Sequence, residues 1–124
     1  MRVKRLAACG WATLLVASGT FAAASSAPLA DAVESSNKAV VRVLLEQRVD
    51  VNAAQIDGMT ALHWAVYRDD SATARLIVKA GGNVKAENRY GVTPLSLACT
   101  NGNTAIVELL LESGANPNTT LRGG

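Results

Sequence analysis

The sequence is poor in the residues that usually build catalytic and metal sites. Its 124 residues include two cysteines, one histidine and only 4% aromatic residues. Cys9 and Cys99 are too few for a disulfide-stabilised scaffold or for a zinc site built on cysteine. His63 and the scattered carboxylates lack the spacing of metal ligands, and no glycine-rich phosphate loop precedes a helix. The sequence therefore predicts neither a metal site nor a cofactor.

What remains is an apolar chain of single-domain length. Charged residues make up 18% of it and hydrophobic residues 49%. This hydrophobic fraction exceeds the apolar content of disordered chains. Most of the chain is therefore expected to fold, and its length suits one domain.

The segment 1–24 is typical of a signal peptide. Arg2, Lys4 and Arg5 precede an almost uncharged apolar run over residues 6–24, and small residues follow. An uncleaved membrane anchor is the alternative, because the run approaches the ~20 residues that span a bilayer. Its richness in Ala, Gly, Ser and Thr favours a cleaved signal. We therefore expect a bacterial protein that is periplasmic or secreted and meets the membrane only transiently.

Removal of this segment changes the charge. It carries three of the 12 basic residues and none of the 10 acidic ones, so the formal net charge falls from +2 to −1. The basic balance of the whole chain therefore belongs to the export segment. The remaining chain does not have the charge of a nucleic-acid-binding domain.

A 33-residue period runs through the rest of the chain without a gap, and such self-similarity indicates a repeat architecture. The matched pairs are Gly58 with Gly91, Thr60 with Thr93, Leu62 with Leu95, Ala65 with Ala98, Leu76 with Leu109, Gly81 with Gly114, and Asn83 with Asn116.

The unit resembles the ankyrin repeat, whose first helix begins Thr-Pro-Leu-His-x-Ala. That element reads TALHWA over residues 60–65 and TPLSLA over residues 93–98. The resemblance covers about residues 26–118 and implies an all-α solenoid of helix-turn-helix units with projecting hairpin loops. Its repeats would be 26–52, 53–85 and 86–118, with 119–124 as a tail or the start of a fourth repeat.

Local chemistry explains the pattern. Thr60 and Thr93 suit helix N-caps, and Pro28 and Pro94 suit the first helical position. We expect left-handed glycines after the second helices and glycines in the hairpin turns. They are Gly81 and Gly114, and Gly58 and Gly91, respectively. An i, i+3, i+4 stripe on each second helix is predicted to face the stack. Its members are Val40, Val43 and Leu44, then Thr73, Leu76 and Ile77, then Ile106, Leu109 and Leu110.

The repeat also chooses between two signal-peptidase sites, one after Ala24 and one after Ala32. Residues 27–32 (APLADA) align with the start of a degenerate first repeat. Cleavage after Ala32 would delete its first helix, so we expect the mature chain to begin at Ser25. The first repeat has the polar residues of a cap, whereas the third has none after its second helix. This pattern suggests a truncated or partial form of a longer repeat protein.

His63 is the only histidine in the chain and could in principle act as a catalytic base. The resemblance implies a structural role instead, in which the ring bonds to backbone of a neighbouring loop. Cys99 is expected to be a small buried apolar residue, because a Cys–His dyad would need an orienting third group that the spacing does not promise.

Ankyrin proteins usually bind partners through hairpin tips and the exposed ends of first helices, which form a concave surface. Tyrosine and arginine at those positions are the strongest candidates, because both are enriched in interface hot spots. The matching positions are Ile56, Asp57, Met59, Tyr67, Arg68, Arg89, Tyr90, Val92, Thr100 and Asn101. The alternative is that these are ordinary surface residues.

The sequence thus predicts an exported, non-catalytic module that recognises a protein partner. One alternative is the N-terminal part of a longer exported protein whose activity lies beyond residue 124. A secreted effector is another. A hydrolase using Cys99 and His63 is the least favoured.

Overall fold

The computed structural model describes residues 25–118, so the predicted signal peptide and the tail 119–124 lie outside the described residues. Within that part the chain forms three helix–turn–helix pairs and no β-strand, which confirms the predicted all-α repeat architecture. We call these pairs the first, second and third repeats. They are α1 Pro28–Glu34 with α2 Lys38–Glu46, α3 Ala61–Tyr67 with α4 Ser71–Lys79, and α5 Pro94–Asn101 with α6 Thr104–Glu112.

Each helix start is fixed by its own sequence. Thr60 and Thr93 accept hydrogen bonds from the backbone N–H groups of the third residues of α3 and α5, as predicted. Pro28 and Pro94 begin α1 and α5, where a missing N–H costs nothing. The second helices are capped by side chains that recur once per period, namely Asn37, Asp70 and Asn103.

The turns repeat in the backbone even where the residue type changes. Gly81 and Gly114 both have a φ of +99° after their second helices, which confirms the predicted left-handed ends. The equivalent residue of the first repeat, Arg48, has a φ of +56°. A non-glycine residue in this region is uncommon, so the repeat imposes the conformation against local preference.

The core is a ladder of small and aliphatic side chains. Helices α1, α3 and α5 contact one another in order, and each also packs on the second helix of its own repeat. Ala65 and Ala98 are completely buried, as expected for residues that let neighbouring helices approach closely. Leu29, Leu62 and Leu95 recur at one position and are all buried.

The predicted stripe is right at one of its three positions. Leu44 is half-buried, and its equivalents Ile77 and Leu110 are completely buried. Val43 and Leu76, in contrast, are 49% and 44% exposed, so the prediction is wrong for these two residues. Their equivalent Leu109 is half-buried and packs against the core.

The third stripe position depends on the repeat. Val40 is 41% exposed, whereas its equivalents Thr73 and Ile106 are buried. Thr73 and Ile106 each have a preceding repeat in contact with their own. Nothing in residues 25–118 occupies that place before Val40, so the predicted burial of Val40 is wrong.

Cys99 is the second correction, because it is exposed rather than buried. Its equivalents Val33 and Val66 are 4% and 0% exposed. Each of those valines belongs to a repeat that is followed by another repeat in the stack. Cys99 is on the last described first helix, so the same position is open to solvent.

Candidate functional site

Two hairpin loops project between consecutive repeats and are joined to each other. The Gln55 N–H donates to the Met59 carbonyl at 2.9 Å, and the Asn88 N–H donates to the Val92 carbonyl at 3.1 Å. The Arg89 N–H then donates to the Asp57 carbonyl of the preceding hairpin at 2.9 Å. The tips therefore form a connected framework.

Gly58 permits the two hairpins to approach. Its φ is +88°, and a Cβ built on it would lie 2.8 Å from the Cα of Asn88. Any side chain would therefore combine backbone strain with a clash against the next hairpin.

His63 links the second repeat to the third. Its Nε2–H donates to the Val92 carbonyl at 2.8 Å, and its Nδ1 accepts from the Thr60 N–H at 3.2 Å. These partners assign the tautomer. Burial lowers the pKa of His63 below 6.5, although the Val92 carbonyl and the negative charge of Asp57 act in the opposite direction. The ring is neutral at pH 7, and the predicted structural role is confirmed.

The arrangement does not resemble a Cys–His catalytic dyad. His63 is completely buried and both of its ring nitrogens are bonded within the protein. Cys99 lies on an exposed part of α5. Among residues 25–118, no three His, Cys, Asp or Glu side chains come together as metal ligands. None of the helices described there has the length and apolar character needed to cross a membrane.

Among the large hydrophobic residues at 25–118, the three with the highest exposed fractions lie on the hairpins and at the end of α3. Ile56 is 93% exposed, Tyr67 57% and Tyr90 63%. Tyr67 contacts Trp64 edge to face, with ring centroids 5.5 Å apart, and the Trp64 indole N–H donates to Gln55 Oε1 at 2.7 Å. The helix end that carries Tyr67 is thus tied to the base of the hairpin that carries Ile56.

Two arginines complete this region. The guanidinium of Arg68 donates to the Glu34 carbonyl of the first repeat. The guanidinium of Arg89 donates to the Ile56 carbonyl at 3.5 Å. We call the exposed set Ile56, Tyr67, Arg68, Arg89 and Tyr90 the tip surface.

Gln55 was not predicted and holds this region to the first repeat. Its Nε2 donates to Asp31 Oδ1 at 2.6 Å and to Glu34 Oε1 at 2.7 Å. An open groove of about 430 Å³ lies beside it, lined by Ser25, Ser26, Asp31, Gln55, Ile56 and Asp57. Both bonding partners are distant from Gln55 in sequence, and the equivalent residue of the next repeat is asparagine. The repeat pattern therefore carried no signal for this network.

Three predicted site residues serve the framework. Met59 is only 8% exposed and its sulfur contacts the Asn88 amide, so its predicted place on the binding surface is wrong. Asp57 is half-buried, and its carboxylate accepts the Met59 N–H at 3.0 Å. Val92 is half-buried, with its carbonyl bonded to the His63 ring.

The last two predicted residues lie at the end of α5. The Thr100 hydroxyl donates to the Ser96 carbonyl within its own helix at 2.9 Å. The Asn101 amide donates to the Val66 carbonyl of α3 at 2.9 Å. Both side chains remain exposed to solvent, but their polar groups already have partners within the fold.

A family model described as ankyrin repeats (3 copies) matches residues 29–120. The chain belongs to the ankyrin-repeat family. Ankyrin repeats are generally protein–protein interaction modules and are typically non-catalytic.

The crystal structure of the human ASB11 ankyrin repeat domain is similar to this ankyrin-repeat chain, with 33% sequence identity and a TM-score of 0.66. The match covers 73% of this chain and 41% of that one, so the chain spans about two fifths of its relative's length. A search of the curated proteins gave no match.

Proposed function

We propose that this chain is an exported, non-catalytic module that binds a protein partner through the tip surface. The observation that carries the proposal is the exposure of Ile56, Tyr67 and Tyr90, which are 93%, 57% and 63% accessible on a hydrogen-bonded framework. Large apolar and aromatic side chains that are exposed together are typical of interaction sites.

The framework supports tight recognition for a physical reason. Binding costs less entropy when the contacting groups are already held in place. Arg68 donates to a backbone carbonyl, and Tyr67 contacts Trp64 edge to face. These two side chains would therefore keep their positions when a partner binds.

Photocrosslinking in the native host tests this binding role. A photoreactive amino acid replaces Tyr67 or Tyr90, and in a matched control it replaces Arg75, an exposed residue of the second helix α4. We expect adducts with the same partner protein from positions 67 and 90 and none from position 75. Adducts from position 75 alone, or from no position, would contradict the proposal.

A quantitative test follows once that partner is purified. Tyr67→Ala/Tyr90→Ala should weaken its affinity at least about tenfold, which corresponds to ~1.4 kcal/mol. Arg75→Ala should leave the affinity unchanged. Equal loss in both variants would indicate a general effect on the fold.

Export is proposed from the sequence, since the segment concerned lies outside the described residues. We place the protein in the periplasm or outside the cell, with the signal peptide removed between Ala24 and Ser25. N-terminal sequencing of the exported protein should begin at Ser25. A protein that begins at Val33, or that keeps its first residues in a membrane fraction, would overturn this.

A further inference from the structure

One glutamine side chain connects the first repeat to the aromatic pair Trp64 and Tyr67. The Gln55 Nε2 group donates to Asp31 Oδ1 at 2.6 Å and to Glu34 Oε1 at 2.7 Å, both on α1. Its Oε1 atom accepts the Trp64 indole N–H at 2.7 Å. The Trp64 ring contacts Tyr67 edge to face, at 90° and with ring centroids 5.5 Å apart. The contacts therefore run without a break from α1 to an exposed residue of the tip surface.

The chemistry of these partners allows only one orientation of the Gln55 amide. An ionised carboxylate can only accept hydrogen bonds, and an indole N–H can only donate one. Rotation of the amide by half a turn would place Oε1 against the two carboxylates and the Nε2 hydrogens against the Trp64 N–H. The bonds to Asp31 and Glu34 are charge-assisted, so they are stronger than bonds between neutral groups. The first repeat therefore determines where Gln55 presents its acceptor.

That acceptor in turn restrains the aromatic pair. The indole N–H is the only polar group of the Trp64 side chain, and Gln55 satisfies it. Trp64 is half-buried, whereas Tyr67 is 57% exposed, so solvent covers much of the tyrosine ring. The edge-to-face contact with Trp64 restrains the Tyr67 ring from the protein side. A shift of the indole would therefore move or free the ring that the partner meets.

The hairpin does not need the Gln55 side chain for its own fold. Its closing bond joins backbone groups, from the Gln55 N–H to the Met59 carbonyl at 2.9 Å. In the next hairpin the equivalent residue is Asn88, whose Oδ1 accepts the N–H groups of Tyr90 and Val92 at 2.8 and 3.0 Å. The amide of Asn88 thus builds its own turn, whereas the amide of Gln55 reaches out of its hairpin to α1 and α3.

The aromatic pair also occurs only in the second repeat. Leu97 and Thr100 occupy the positions of Trp64 and Tyr67 in the third repeat, where neither an indole N–H nor a tyrosine ring is present. The repeat fold therefore does not require these contacts. Their role lies in the surface that carries Tyr67.

We propose that Gln55 is a positioning residue for partner binding, which sets the orientation of Tyr67 through Trp64 from its anchor on α1. This inference rests on the proposed function, because Tyr67 belongs to the tip surface. Gln55 acts without contact with the partner. It holds the aromatic pair in the geometry that the partner meets, so less conformational freedom is lost on binding.

Two substitutions separate positioning from stability. Gln55→Lys keeps a donor for Asp31 and Glu34, so the contact with α1 and the free energy of unfolding should be retained. It removes the acceptor of the Trp64 N–H. Gln55→Met removes that acceptor without adding a charge. Gln47→Lys is the matched control, because it adds the same charge at the exposed glutamine that follows α2.

Hydrogen exchange of the Trp64 indole N–H, followed by NMR, is the first readout. Trp64 is the only tryptophan after residue 24, and its signal is identified by its loss in Trp64→Phe. This N–H should exchange at least about fivefold faster in Gln55→Lys and Gln55→Met than in the wild type and in Gln47→Lys. Equal exchange rates in all four proteins would overturn the proposal.

The partner identified by photocrosslinking provides the second readout. Gln55→Lys and Gln55→Met should each weaken its affinity at least about fivefold, while Gln47→Lys binds as the wild type does. In a Tyr67→Ala background the same Gln55 substitutions should change nothing further, because they act through that ring. Wild-type affinity in either Gln55 variant, or a loss that persists in the Tyr67→Ala background, would contradict the positioning role.

This inference and the proposed function fail separately. If Tyr67→Ala/Tyr90→Ala binds the partner as tightly as the wild type, the tip surface is not the binding site and the role of Gln55 falls with it. If that double variant binds weakly while the Gln55 variants bind normally, only the positioning role is wrong.

Discussion

Residues at the same repeat position differ in solvent exposure between the middle repeat and the two outer repeats. Val66 is completely buried between its neighbours, whereas Cys99, one period later, is open to solvent. Thr73, a polar residue, is 5% exposed, while the apolar Val40 one period earlier is 41% exposed. Burial in this molecule therefore follows the presence of a neighbouring repeat more closely than it follows residue type.

The difference has an energetic meaning for the whole stack. A repeat cannot bury its own apolar surface, so most of the stability of a solenoid comes from the contacts between consecutive repeats, which we call joints. The middle repeat has a joint on both sides. The same substitution should therefore lower the free energy of unfolding more at a position that faces a joint than at the equivalent position of a repeat without that neighbour.

The largest expected effect comes from truncating the leucine that occupies the same repeat position in the third and in the first repeat. Leu110→Ala removes a completely buried side chain and should lower the free energy of unfolding by about 2–5 kcal/mol. Leu44→Ala, at the equivalent half-buried position, should lower it by less than half as much. Chemical denaturation measures both. Equal losses would mean that the preceding repeat adds nothing at this position.

The next comparison concerns two glycines with positive φ. Gly58→Ala and Gly81→Ala both force alanine into the left-handed region, at a cost of about 1 kcal/mol. At position 58 the new Cβ also meets the Asn88 backbone at 2.8 Å, whereas at position 81 nothing lies within 4 Å. Thermal unfolding should show a clearly larger loss for Gly58→Ala. Similar losses would show that the two hairpins do not need close contact.

A pH effect should follow from the joint made by His63. Its pKa is lowered by burial, so between that pKa and 6.5 the unfolded chain binds more protons than the folded one. The free energy of unfolding should therefore fall as the pH drops below about 6.5. In His63→Gln this part of the pH dependence should disappear. An identical pH profile in the two proteins would be inconsistent with a buried, neutral ring.

The smallest effect is expected at an exposed ion pair across the first joint. Lys38 Nζ lies 3.4 Å from Asp70 Oδ2, but the lysine side chain is 68% exposed. Such pairs are screened by water and salt, so Lys38→Ala should cost no more than about 0.5 kcal/mol. The cost should vanish at high salt. A larger loss would indicate that the joint depends on charge as well as on packing.

The features that recur once per period were predictable from the sequence. Thr60 and Thr93 cap their helices and Gly81 adopts the left-handed conformation, and both features follow from local backbone requirements of the repeat. The bond of His63 to a neighbouring loop was predicted from the resemblance to ankyrin repeats. The burial of the Met59 side chain was not predictable in this way, because it depends on contact with Asn88 of the next hairpin.

What depends on position along the stack was not predictable from the motif alone. Cys99 occupies the same repeat position as Val66. Only the order of the repeats shows that, within the described residues, no following repeat covers Cys99. The Gln55 bonds to Asp31 and Glu34 join different repeats through side chains that occur once. A comparison of the repeats could not predict these bonds, because the residues that form them do not recur at the equivalent positions.

Thiol accessibility at a single repeat position tests the account most directly. Single-cysteine proteins would carry the thiol at position 66 or at position 99, with other cysteines replaced by serine, and be alkylated at low concentration. We expect Cys99 to react near the rate of a free thiol and Val66→Cys to react slower by a factor of at least about 100, since its exposure requires unfolding. Equal rates at the two positions would contradict the claim that a neighbouring repeat determines burial.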